Sequence, residues 1–147
     1  MQETELIEAI RGAAPETIEA ARKSLLLDIS HGRVGCHLYA NAVKLVDPIT
    51  IVALGERTYW SGSGRAGTAR WTYLWVIRKG AVQSREFAWR SEHHDSLDRF
   101  ENRAVQLGEV VIEDETEVTI RVTLPNDRRS EPWVEVFTFA KDVKAVA

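Results

Sequence analysis

The chain has one cysteine, Cys36, one methionine and four prolines among its 147 residues. A lone thiol excludes an internal disulfide and reads as a small buried group in a reducing compartment, so a cytoplasmic location is expected. No run of about 18 apolar residues occurs, so no membrane-spanning helix and no membrane partner are expected. The start, MQETELIEAIRG, is acidic and amphipathic, unlike the basic and then apolar start of a secretory leader. Several chemical signatures are also missing: HExxH, paired CxxC, a Gly-Lys-Ser/Thr phosphate loop, HRD, DFG and an RNP1 octet. Without them, zinc, P-loop, protein-kinase and RRM chemistry have no spacing to stand on. Neither a metal nor a cofactor is expected.

Apolar residues make up 44% of the chain and charged residues 28%, an ordinary globular balance. Length points to a single domain over 1–147. The net charge of −3 is unevenly spread: residues 1–28 carry −3, 29–91 carry +6 and 92–147 carry −6. A basic middle between acidic ends fits either an anion-binding face or basic strands lying beside acidic ones.

The first third reads as helical. Leu6, Ile7 and Ile10 form a short apolar stripe that ends at Gly12. Pro15 suits a first helical position, Glu16 and Glu19 suit a first turn, and Ile18, Ala21, Leu25 and Leu26 follow at helical spacing. Helices are expected near 4–11 and 15–30, with Gly32 as a stop. Leu38, Ala42 and Leu45 favour a third helix over 34–46, closed by Asp47-Pro48.

From Ile49 the period becomes two. ITIVAL and TYW read as a strand with a possible break at Gly55, WTYLWVIRKGAVQSREFAWR as a hairpin, LGEVVIEDETEVTIRVTL as a second hairpin turning near Asp114, and WVEVFTF as a last strand. Asp95 is placed to cap a short helix carrying Leu97, Phe100 and Ala104. The expected fold is α+β, with N-terminal helices (about 4–46) packed on a strongly curved, mostly antiparallel sheet of about six strands over 49–140, a cone or partly open barrel. The order of elements resembles cone-shaped α+β folds, including the scytalone-dehydratase type, at the level of architecture alone; no residue role follows from it.

Gly62, Gly64 and Gly67 spell G-x-G-x-x-G. A dinucleotide loop needs a helix after the glycines, whose N-terminal amides hold the pyrophosphate. The run that follows, Thr68 to Ile77, is β-branched and aromatic with period two, so the glycines are expected to join two strands. Arg65 and Arg70 remain candidate anion contacts.

Residues 57–90 hold seven of the twelve aromatics. Trp71, Tyr73 and Trp75 share one face of their strand by alternation, and Phe87 and Trp89 share one face of the next. A three-residue turn, Lys79 to Ala81, would bring both sets together with Trp71 opposite Trp89 and Tyr73 opposite Phe87. That aromatic face is either core, or the wall of a site for a small apolar or aromatic ligand or a protein partner, with Arg85 nearby. With the basic residues of 57–90 it would serve as a stacking platform for nucleic acid. A homodimer interface would also use it.

His93-His94-Asp95 is the one constellation with acid–base potential: a histidine at a pocket mouth, oriented by Asp95, would act as a general base. Three functions are thus compatible with the sequence: a small binding module using the aromatic hairpin, a small-molecule lyase, isomerase or hydrolase using His94 or His93, and a nucleic-acid-binding domain.

Overall fold

The computed structural model describes residues 3–26, 34–60, 68–87, 107–124 and 132–141; for 34–41, 56–60, 68–72 and 87 it describes the backbone. Residues 1–104 and 105–147 form two compact units.

The first unit opens with two helices, α1 (Glu3–Ala9) and α2 (Pro15–Leu25). Gly12 takes φ +100°, a left-handed conformation that suits glycine, and the chain turns there between the helices. Pro15 begins α2 as expected, behind Ala14, whose side chain offers no cap; the Ala14 N–H donates to the Pro48 carbonyl (2.7 Å). The helix ends at Leu25, short of the expected position 30.

Four strands follow: β1 (Val34–Asp47), β2 (Thr50–Trp60), β3 (Thr68–Arg78) and β4 (Ala81–Phe87), in the antiparallel order β1-β2-β3-β4. The expected helix over 34–46 is therefore a strand. Its register to β2 explains the misleading spacing. Leu38 pairs with Gly55 and Val43 with Ala53, so three surplus residues bulge from β1 opposite Leu54. A bulge of odd surplus switches the parity of the strand. Apolar positions are even before it (Leu38) and odd after it (Val43, Leu45), and the sum imitates a helical period. Gly55 does not interrupt β2, which runs in unbroken register along β3.

Isoleucine, alanine and tryptophan fill the face under the helices. Ile51, Ala53, Trp75 and Ile77 pack with Leu6, Ile10, Ala13, Ala21 and Leu25, each at most 9% exposed, and Val43, Leu45, Ile18 and Tyr73 pack at the margin. The opposite face of β2 and β3 is also buried, through Val52, Leu54, Leu74 and Val76. Strands buried on both faces explain the continuous apolar run ITIVAL, where strict alternation fails.

One helix residue breaks the apolar rule. Thr17 is wholly buried on α2, and its Oγ1 has no hydrogen-bond partner among the described residues. An unpaired buried hydroxyl costs about 1–3 kcal/mol. Thr17→Val keeps the shape and removes that cost, so it is expected to raise stability by about 1 kcal/mol and the melting temperature by ~2–4 °C. A thermal melt that moves downward in this variant would mean the hydroxyl is satisfied in solution.

The second unit contains β5 (Val110–Asp114), β6 (Glu117–Leu124) and β7 (Trp133–Ala140), an antiparallel sheet in that order. The expected turn near Asp114 joins β5 to β6, and the expected last strand is β7. Val118, Ile120, Val122 and Leu124 of β6 are buried, as are Phe137 and Phe139 of β7. These are the positions that alternation assigns to one face.

The sheet content is antiparallel, as expected, and the helices among the described residues are two and short. The single six-stranded curved sheet is not what forms: the described strands divide into sheets of four and three, each open at its edges. Turn chemistry accounts for the excess strand, because the Asp47 Oδ1 accepts from the Ile49 N–H (2.9 Å) and closes a hairpin that brings β1 into the sheet. No helix among the described residues is long and apolar enough to cross a membrane.

Candidate functional site

The glycines of 61–67 lie outside the described residues; the strands that flank them are described. β2 runs into them at Trp60, β3 leaves them at Thr68, and Trp60 pairs with Thr68. The segment after Gly67 is a strand, as expected, and supplies no helix N-terminus for a pyrophosphate.

The β3–β4 register decides which hairpin residues can share a site. Arg78 pairs with Ala81 across a two-residue Lys79-Gly80 turn, so the expected three-residue turn is corrected. Lys79 takes φ +55° and its N–H donates to the Ile49 carbonyl (2.7 Å), which holds the tight turn against the β1–β2 turn. This register sets Val82 beside Ile77 and Ser84 beside Trp75, where the longer turn would have set Gln83 and Arg85.

The consequence is a separation of the predicted residues. Trp71, Tyr73 and Trp75 occupy one face of β3 by alternation. Phe87 pairs with Thr72 and Arg85 with Leu74, positions of the other face. Arg70 and Arg78 belong to that other face too, paired with Thr58 and Thr50. Trp71, Tyr73 and Trp75 thus hold positions on one side of the sheet, with Arg57 beside Trp71, and Phe87 and Trp60 hold positions on the other with Arg70, Arg78 and Arg85. A nucleic-acid platform needs stacking rings and phosphate-binding cations on the same side; the register sets Arg57 beside Trp71 on one side and the positions of Arg70 and Arg85 with those of Trp60 and Phe87 on the other.

Trp75 and Tyr73 each have a small residue beside them. Across the sheet, Trp75 lies between Ala53 and Ser84, and Tyr73 lies between Gly55 and Glu86. The small neighbours give the large rings room to lie along the sheet. Trp75 is 1% exposed and belongs to the core. Tyr73 is half-buried and stacks on it, with ring centroids 5.7 Å apart and planes inclined by 23°. Gly55, read from the sequence as a break, instead lies beside Tyr73 in an unbroken strand.

No protein-family model, curated protein or solved structure matches this chain. The site therefore rests on its own geometry.

Length separates the core part of the stripe from the rest. The 11 residues of α2 span ~16 Å, whereas the 11 residues of β3 span ~36 Å. The α2 N-terminus is tied to Pro48 at the turn end of the sheet. Helix cover therefore reaches Ile77, Trp75 and the margin at Tyr73, and the positions of Trp71 and Ala69 lie farther along the same face, paired with Arg57 and Tyr59.

The turn end carries a polar cluster that sequence reasoning missed. Arg78, 14% exposed, donates through Nη1 to Thr50 Oγ1 (2.8 Å) and lies 3.8 Å from Asp47 Oδ2. Thr50 is itself buried. Both partners are protein groups, and the arrangement ties the β1–β2 turn to β3. Only pairing between strands distant in sequence brings these residues together, though the Asp-Pro turn was visible.

Arg65, Trp89, His93, His94, Asp95 and the expected short helix at 97–104 lie outside the described residues. Among the described residues, no three or more histidine, cysteine, aspartate or glutamate side chains are grouped to hold a metal ion.

Proposed function

We propose that this chain is a binding module whose contact surface is the aromatic stripe of β3 where it passes the end of α2. Tyr73 is its anchor, and Trp71 occupies the next position on the same face. The occupant is an apolar or aromatic group, offered by a small ligand or by a protein partner. One observation carries this reading: Tyr73 is half-buried and stacked on Trp75, so one ring of a rigid pair is fixed by the core while its neighbour retains accessible surface. A pre-ordered ring of this kind gains contact area at little entropic cost. The other two functions find less support. The acid–base reading depends on His93, His94 and Asp95, which lie outside the described residues, and the nucleic-acid reading would use the other face, where Arg70 and Arg85 share positions with Trp60 and Phe87, and leaves Tyr73 without a role.

Anilinonaphthalene sulfonate, a planar apolar fluorophore, is the probe that tests this surface. Tyr73→Phe is expected to bind it within about twofold of the parent, and Tyr73→Ser at least about tenfold more weakly, since losing a stacked ring costs on the order of 1 kcal/mol or more. Circular dichroism should show both variants folded. Equal binding by the serine variant would remove Tyr73 from the surface.

A further inference from the structure

The outward face of the β5-β6-β7 sheet sorts its side chains into stripes. On β7, Val134 and Val136 are 52% and 37% exposed, and Ala140 follows them, also exposed. On β5, Val111 is 38% exposed and lies between the exposed Glu109 and Glu113. Between the two stripes β6 contributes Glu117, Thr119, Arg121 and Thr123. The Glu109 carbonyl accepts from the Thr123 N–H (2.9 Å), which places Glu109 in the row of Thr123 and Val134. Val111, Arg121 and Val136 form the next row, then Glu113, Thr119 and Thr138, and Glu117 pairs with Ala140. The face thus has three carboxylates and one cation. Arg121 Nε lies 3.3 Å from Glu113 Oε1, so that pair is neutral together and Glu109 and Glu117 give the face its sign. The unit leans the same way: residues 105–147 hold nine acidic and five basic residues.

We propose that this face docks a basic amphipathic helix of a protein partner. The helix lies along the strands, with apolar side chains over Val134 and Val136 and lysines or arginines over Glu109 and Glu113. Charge and dimensions select this occupant. The β5 and β7 stripes are two strand spacings apart, about 10 Å, which is the diameter of one helix. From Val134 to Ala140 the apolar side runs ~20 Å, matched by a helix of ~14 residues. β-Branched residues give the helix a dry side, and the acidic stripe fixes which way round it lies. A second copy of the same sheet, or any acidic segment, would set carboxylate against carboxylate and is disfavoured.

The contact is small, so the binding is weak and transient. Long-range attraction between the acidic unit and a basic segment speeds the encounter and fades as salt rises. The docking uses none of the residues of the Tyr73 surface and stands without it.

Two synthetic peptides of ~14 residues test the face. One carries a leucine stripe with lysines on its other side, and the second has glutamate in place of every lysine. Binding to the full chain is read by anisotropy of the labelled peptide and mapped by amide chemical shifts. The lysine peptide is expected to bind with a Kd of about 100 μM or tighter, and the glutamate peptide at least about tenfold more weakly. Shifts should gather at Val111, Arg121, Val134 and Val136. Glu109→Lys combined with Glu117→Lys is expected to weaken binding at least about tenfold, and Val136→Ser at least about threefold. Glu8→Lys combined with Glu16→Lys makes the same change of net charge on the exposed side of the helices, and should stay within about twofold of the parent. Circular dichroism checks that each variant is folded. No saturable binding of the lysine peptide up to about 1 mM overturns the proposal. So do equal binding of the two peptides, shifts that fall outside this sheet, and equal losses in the two double-lysine variants. Self-association through Val136 with no peptide bound would give the face to a second copy and overturn it as well.

Discussion

Trp75→Ala is expected to lower the unfolding free energy by about 3–5 kcal/mol, the range for emptying a large aromatic site in a core. Trp75 is 1% exposed and packs in one cluster with Leu6 and Ile10, Ala21 and Leu25 of α2, and Ile51 and Ile77 of the sheet. The indole is the largest fully buried side chain among the described residues. Its neighbours Ala53 and Ser84 are too small to close the void. A domain of ordinary stability holds ~5–15 kcal/mol in total, so the variant should show a large drop in urea midpoint. Tyr73 loses its stacking partner at the same time, and near-ultraviolet dichroism should weaken before any denaturant is added. A midpoint within about 1 kcal/mol of the parent would show that the helices do not depend on this ring.

Phe137→Ala should have a comparable effect, roughly 3–5 kcal/mol, in the other unit. Phe137 is wholly buried and pairs with Ile120, which is itself fully buried and pairs with Ile112. A sheet of three strands has few apolar contacts to spare, so emptying its central row should loosen the whole β6–β7 ladder. Amide hydrogen exchange tests this by position: protection should fall first from Val118 to Leu124 and from Trp133 to Ala140. Unchanged protection there would mean that the apolar face of this sheet is held by its other rows.

The two substitutions differ in what the sequence revealed beforehand. Val118, Ile120, Val122 and Leu124 alternate with polar residues, and a strand with one buried face needs little else to be recognised. Trp75 was visible as part of an aromatic stripe, but core, ligand pocket, stacking platform and dimer interface were all open uses of that stripe. Contact with Leu25 and Leu6, which precede it by fifty residues or more in the chain, decides that Trp75 is core and leaves Tyr73 at the margin.

Periodicity and turn residues alone determined the two N-terminal helices, the β-rich remainder, the strand that follows the glycine loop and the hairpin at Asp114. Each of these depends on side chains only a few residues apart. Tertiary structure alone decided the rest: that 34–47 is a strand, that the strands divide into two sheets, and that the positions of Arg85 and Phe87 fall on the face opposite Tyr73 and Trp75. The physical reason is parity. A bulge of three residues in β1, or one residue more or fewer in the Lys79-Gly80 turn, moves every later side chain to the other side of its sheet. The local chain holds both alternatives at nearly equal cost. The choice falls to contacts such as the Lys79 N–H bond to the Ile49 carbonyl (2.7 Å), which exist only once the sheet has formed.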